Sequence, residues 1–150
     1  MAIDGVAAGS IRLLGLDVGD RRIGVAVSDP TGSLASPVGV YQRRGPKADV
    51  QHMLQLTREY EATGVVVGLP KNMNGTEGPQ AEKTREFAEA LVAGGLAVFL
   101  WDERLSTIEA TRRMVEQRRT KRSIQQRKDS EAAALILQSY LDHLRFRRQQ

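Results

Sequence analysis

Asp17 closes the apolar run Ile11-Arg12-Leu13-Leu14-Gly15-Leu16, and a second apolar run, Ile23-Gly24-Val25-Ala26-Val27, follows the turn Val18-Gly19-Asp20-Arg21-Arg22. An acid ending a strand before a Gly-bearing turn aims its carboxylate out of a sheet edge. Oxygen ligands there suit a hard cation such as Mg²⁺ or Mn²⁺. Taken alone Asp17 is ambiguous, because a turn aspartate also bonds to the backbone of its own loop. Two later acids add weight. Glu103 lies in Trp101-Asp102-Glu103-Arg104, just past another apolar run, at the strand-end edge where open α/β sheets bind ligands. Neighbouring acids on an extended chain point to opposite sides, so one of the two faces Asp17. Glu103 is favoured, with Asp102 as the alternative and an ion pair of Glu103 with Arg104 or the basic patch as the bland reading. Asp129 opens the final helical segment after Arg127-Lys128, where Asp is also a preferred N-cap. Three carboxylates from separate elements suit a pair of divalent ions that activate a water and steady the leaving oxygen of a phosphodiester.

Other chemistries find less support. The chain has no cysteine, which excludes disulfides and thiolate metal sites and agrees with a reducing compartment. His52 and His143 sit in helical segments away from the strand ends. No Ser-His-Asp arrangement and no P-loop pattern is present. An Asp-x-Gly hairpin also opens the phosphate grip of actin-like and sugar-kinase ATPases, but those enzymes close two lobes over the nucleotide, and 150 residues supply one. The pI is near 9.8 and the net charge is +4. The basic charge is concentrated: Arg112, Arg113, Arg118, Arg119, Lys121, Arg122, Arg127 and Lys128 face a single acid, Glu116. Such a run is either a solvated face or a grip on a polyanion. No apolar stretch approaches the roughly 20 residues of a membrane span, and the start lacks the pattern of a signal peptide, so a cytoplasmic protein is expected.

The elements that must position these residues follow from periodicity. Residues 11–17 and 22–28 read as antiparallel strands around a short turn, and 37–41 as a third. Val50, Met53, Leu54 and Thr57 share one face of a helix from Lys47 to Glu61. Val65 to Leu69 is a continuous apolar run typical of a strand covered on both faces. After an Asn-Gly and Gly-Pro loop at 72–79, a helix runs to about Val92 with Thr84, Phe87, Ala88 and Leu91 inward. Leu96 to Trp101 reads as the next buried strand. Ser106-Thr107-Ile108-Glu109 is a capping box, and a last helix is expected from about Asp129 to Arg145. The order describes an α/β domain: a five-stranded mixed sheet, with a three-strand antiparallel meander and two parallel strands, covered by helices on both faces. Its expected span is 11–145, between flexible ends at 1–10 and 146–150.

Four blocks in order resemble the YqgF/RuvX family. They are Leu16-Asp17-Val18-Gly19 with Ile23-Gly24-Val25-Ala26, Val67-Gly68-Leu69-Pro70-Lys71-Asn72-Met73-Asn74-Gly75, Asp102-Glu103-Arg104-Leu105-Ser106-Thr107, and Lys128-Asp129-Ser130-Glu131-Ala132-Ala133. Members of that family are described as Holliday junction resolvases and as nucleases that trim the precursor of 16S ribosomal RNA. The resemblance implies an RNase H-like fold and places the family's acidic positions on Asp17, Glu103 and Asp129. It implies that the loop carrying Lys71, Asn72 and Asn74, and the basic region, touch substrate. Many relatives have a short Gly-containing loop where this chain has Gln117-Arg118-Arg119-Thr120-Lys121-Arg122.

The resulting expectation is a Mg²⁺- or Mn²⁺-dependent endonuclease acting on structured RNA, branched DNA or both. Asp17, Glu103 and Asp129 bind the metal, Lys71 or Arg104 meets a phosphate, and Arg118, Arg119, Lys121 and Arg122 grip the backbone. The alternative is a non-catalytic nucleic-acid-binding module of the same fold. Symmetric cleavage of a junction requires two active sites and hence a homodimer, for which the sequence identifies no surface.

Overall fold

The computed structural model describes residues 12–105 and 121–148, with the backbone alone for 121–128 and 148. The expected 1–10 segment, the capping box at 106–109, and Arg118 and Arg119 lie outside the described residues. Five strands form one sheet: β1 (Leu13–Val18), β2 (Arg22–Ser28), β3 (Ala35–Gln42), β4 (Gly64–Leu69) and β5 (Val98–Asp102). Their spatial order is β3-β2-β1-β4-β5. β1, β2 and β3 pair antiparallel, whereas β4 joins β1 and β5 joins β4 in parallel. This is the mixed sheet expected from the sequence.

β1 and β4 are buried along their whole length because alternate side chains enter two different cores. Leu14, Leu16, Val18, Val65 and Val67 pack with Met53, Phe87 and Leu91, residues of helices α1 (Pro46–Glu59) and α2 (Pro79–Ala93). Leu13 and Val66 face the other way, against Ala132, Ala133, Ile136, Leu137 and Leu141 of α3 (Lys121–Arg148). Both α1 and α2 start with proline at their first turn, where its missing N–H and fixed φ cost nothing. α2 stops at Gly94, and Gly95 takes a φ of 102°, a left-handed value that ends helices.

Two expectations need correction. β5 is not a buried strand: it is the sheet edge, with Phe99 39% and Leu100 36% exposed. A short apolar run does not itself reveal whether both faces are covered. Asp129 does not open the last helix, which begins eight residues earlier at Lys121. Residues 121–128 contain neither Gly nor Pro, and Lys, Arg and Gln propagate a helix well, so the local cap preference of Asp is overridden. The same helix runs past 145 to Arg148.

Candidate active site

Leu13, Gly15 and Asp17 alternate onto the face of β1 that α3 covers. Gly15 lets that helix come close, since a Cβ there would lie 2.7 Å from Leu137 Cβ. Asp17 pairs across the sheet with Gly24 of β2. On its other side, one step past the Leu16–Val67 pair, stands Gly68 of β4. Both glycines are filled by something else. A Cβ on Gly24 would lie 2.0 Å from the Asp129 carbonyl oxygen, and one on Gly68 would lie 2.8 Å from Glu103 Oε1. The bare backbone on each side of Asp17 thus admits the helix carrying Asp129 and the carboxylate of Glu103.

These three acids line one open cleft of about 390 Å³, with Arg22, Pro70 and Gln80 among its other walls. Asp17 is 9% exposed. Asp129 Oδ2 accepts a hydrogen bond from Arg22 Nε at 2.9 Å, with the side chains 14% and 32% exposed respectively. The described lining carries Asp17, Asp20, Glu103 and Asp129 against Arg21 and Arg22. A phosphodiester entering this acidic cleft needs cations to neutralise the carboxylates. Carboxylate oxygens are the donors Mg²⁺ and Mn²⁺ prefer, so the donor chemistry fits such an ion. Among the described residues, no three acid, His or Cys side chains stand close enough to hold a metal. The acids share a cleft but are not preassembled around an ion.

Glu103 lines the cleft and Asp102 does not. Asp102 is held by Arg104, whose Nη2 lies 2.7 Å from Oδ2 and whose Nε reaches both oxygens at 3.1 Å. Arg104's hydrogen bonds hold the Asp102 carboxyl below its ordinary pKa. The backbone then turns into a short 3₁₀ segment at Glu103–Leu105, which directs the next side chain over Gly68. Arg104 thus pairs with Asp102. Arg104 also donates to the Met73 carbonyl at 3.2 Å, fastening the β4–α2 loop to the end of β5. Within that loop, Asn72 Nδ2 donates to Thr76 Oγ1, and Asn74 Oδ1 accepts from the Thr76 N–H and hydroxyl. Both asparagines shape the loop. Lys71 acts electrostatically on Asp102 and Glu77. Lys121 and Arg122 form the first turn of α3.

Sequence reasoning missed Arg22 and Gln80. Arg22 lies two residues before Gly24 and so faces the same side of β2, a parity that the strand assignment could have supplied. Gln80 Nε2 donates to the Val18 carbonyl at 3.3 Å, binding the start of α2 to the end of β1. A second network was also unforeseen. Asp49, fully buried in the first turn of α1, accepts hydrogen bonds from Tyr41 Oη, Arg43 Nε and the Arg44 N–H at 2.9, 2.9 and 2.8 Å. Burial works to raise its pKa, but these bonds outweigh it and leave the carboxyl lowered. Arg43 lies over the Phe87 ring and donates to the Gly19 carbonyl at 2.9 Å. It steadies the β1–β2 turn that forms one wall of the cleft. His52 stacks on Tyr41 and His143 lies against Trp101, both away from the cleft lining.

A model of the family described as RuvX, Holliday junction resolvase, matches residues 11–143. A Thermoanaerobacter pseudethanolicus protein named "Putative pre-16S rRNA nuclease" is 46% identical over 134 residues, 88% of this chain and 96% of its own length. A Pelotomaculum thermopropionicum protein of the same name is also 46% identical, over 88% of this chain and 87% of its own. Among solved structures, RuvC of T. thermophilus in complex with Holliday junction substrate superposes with a TM-score of 0.57 at 15% identity, covering 89% of this chain and 96% of RuvC. That likeness establishes the RNase H-like fold.

Proposed function

The chain belongs to the RuvX family and is a nuclease, a hydrolase of phosphodiester bonds; we propose that it is a divalent-metal-dependent endonuclease acting on structured nucleic acid. Its substrate in this reading is either precursor 16S rRNA, which its relatives' names give and which it would trim at the 5′ end, or the Holliday junction named in the family description. A cytoplasmic location belongs to the same proposal. The observation that carries the reading is the pair of glycines flanking Asp17. Their missing side chains leave space that Asp129 and Glu103 occupy, so three acids from a strand, a helix and a 3₁₀ turn meet one cleft.

Asp17, Glu103 and Asp129 would hold Mg²⁺ or Mn²⁺, which supplies water activation and neutralises charge at the leaving oxygen. The chain's own residues do the positioning. Burial fixes Asp17 at the strand end, α3 sets Asp129 through its seat on Gly24, and the Asp102–Arg104 pair turns the backbone so that Glu103 faces inward. Lys71, the loop shaped by Asn72 and Asn74, and the basic residues Arg118, Arg119, Lys121 and Arg122 meet the nucleic-acid backbone, which rewards positive charge regardless of sequence.

Cleavage of precursor 16S rRNA and of a synthetic four-way junction by wild type and Asp17→Asn tests this directly. Cleavage of one substrate in Mg²⁺, reduced at least about 100-fold in the variant, is the expected result. Calorimetry should show Mn²⁺ uptake that the same change removes. Binding of either nucleic acid without metal uptake or cleavage would instead indicate a non-catalytic module.

A further inference from the structure

Arg22 occupies the one position in the cleft where a cationic side chain touches a candidate metal ligand among the described contacts. Its Nε donates to Asp129 Oδ2 at 2.9 Å, and the pair is only partly exposed on the cleft wall. We propose that Arg22 competes with the metal for Asp129 and, once displaced, receives a substrate phosphate, so that metal and nucleic-acid binding are coupled through this one side chain. The inference rests on the metal-site reading of the same cleft.

The physical grounds are charge and geometry. A carboxylate oxygen that accepts a guanidinium N–H must give up or share that contact before it can ligate a cation. The arriving cation also repels Arg22. Arg22 starts β2, and its side chain lies on the same face as Gly24, over which Asp129 sits. Its backbone is therefore fixed while its side chain remains 32% exposed and can swing into the cleft. A guanidinium is suited to that second partner, since its planar fork matches a phosphate better than any other side chain does. Held on Asp129, the same group reduces repulsion among the acids of the cleft before an ion arrives. A purely structural Arg22 would hold Asp129 in place and so favour metal binding. A competing Arg22 opposes it, and the two roles differ in sign.

Titration calorimetry of the full chain with Mn²⁺ alone, without nucleic acid, reads that sign. Arg22→Met keeps the apolar stem and should tighten Mn²⁺ binding about fivefold, as loss of a partly exposed ion pair allows. Arg21→Met removes a neighbouring cleft arginine, controls for bulk charge, and should change it less than about twofold. Arg22→Lys restores a cation and should return the affinity to within about twofold of wild type. Binding of a synthetic four-way DNA junction in Ca²⁺ should lose about 0.9 from its slope of log affinity against log salt in Arg22→Met, as one phosphate contact disappears. Weaker or unchanged Mn²⁺ binding by Arg22→Met would overturn the competition while leaving the metal site standing. Wild type that takes up no Mn²⁺ would overturn the site and this inference together.

Discussion

Alanine at position 24 would put a methyl group where the backbone of α3 now lies. The added Cβ would stand 2.0 Å from the Asp129 oxygen and 2.3 Å from its carbonyl carbon. Carbon and oxygen need roughly 3 Å or more, so the helix must back away by about 1 Å at the residue whose side chain enters the cleft. No flexible side-chain tip can absorb this, because both clashing atoms are backbone. Overpacking of this kind costs about 1–3 kcal/mol, or about 3–10 °C in melting temperature for a chain of this length. The loss of function should be larger than that. Displacing a catalytic group by about 1 Å can cost about 100-fold in rate, even where the protein stays folded at assay temperature. Gly68→Ala provides the comparison: its nearest clash is with the flexible ends of Ile136 and Glu103 at 2.5 and 2.8 Å, so its stability cost should be smaller while Glu103 is pushed aside. Melting curves and single-turnover cleavage on the same preparations separate the two effects. Wild-type cleavage and wild-type melting in Gly24→Ala would refute the idea that the seat of α3 on β2 sets Asp129.

Asp129→Asn keeps the helix, because Asp129 lies inside α3 and not at its start; loss of its pair with Arg22 should cost roughly 1 kcal/mol of stability, while Mn²⁺ uptake and cleavage are lost. Asp49→Ala strands Tyr41 Oη and Arg43 Nε and should destabilise the fold by about 2–4 kcal/mol in denaturant titration. Because the Asp49 carboxyl is lowered from its ordinary value of 3.8 on folding, its stabilisation is complete above that value and is lost as pH falls through the lower folded value; the difference in stability between wild type and Asp49→Ala should shrink only below about pH 4. Replacing Arg118, Arg119, Lys121 and Arg122 by alanine should flatten the salt slope of nucleic-acid binding by up to about 3–4 units, leaving Mn²⁺ uptake unchanged, as fluorescence anisotropy and calorimetry can check.

The sheet was legible because its signals are local. Apolar runs bounded by turn residues mark strands at 11–17, 22–28 and 65–69, and the structure pairs all three in one sheet, with Val65 and Val67 in one core and Val66 in the other. The edge position of β5 was not legible, because coverage depends on which strands and helices come to lie beside it. The start of α3 was misplaced for a related reason. Asp129 satisfies a local capping preference, but eight helical residues precede it, six of them Lys, Arg or Gln, and propagation of an existing helix outweighs a single cap. The Asp49 network escaped notice because a buried aspartate among apolar helix positions shows itself only through its partners, and these come from β3 and the loop after it.

The candidate site divides in the same way. Its acids were visible one by one, Asp17 and Glu103 at the ends of apolar runs and Asp129 ahead of an apolar helical stripe. What brings them together was written in residues that carry no chemistry. Gly24 and Gly68 look like weak points in two strands, where a side chain is missing and β propensity is low. With Asp17 between them, each becomes a vacancy of the size that a neighbouring backbone or carboxylate needs. The distance from strand to helix is then set by the absence of a methyl group, and so is the position of Asp129. Arg22 follows from this arrangement: once α3 rests on Gly24, the side chain two residues earlier on that face meets the Asp129 carboxylate. Charge in the cleft is therefore a consequence of close packing on bare backbone, and the glycines should be as intolerant of substitution as the acids.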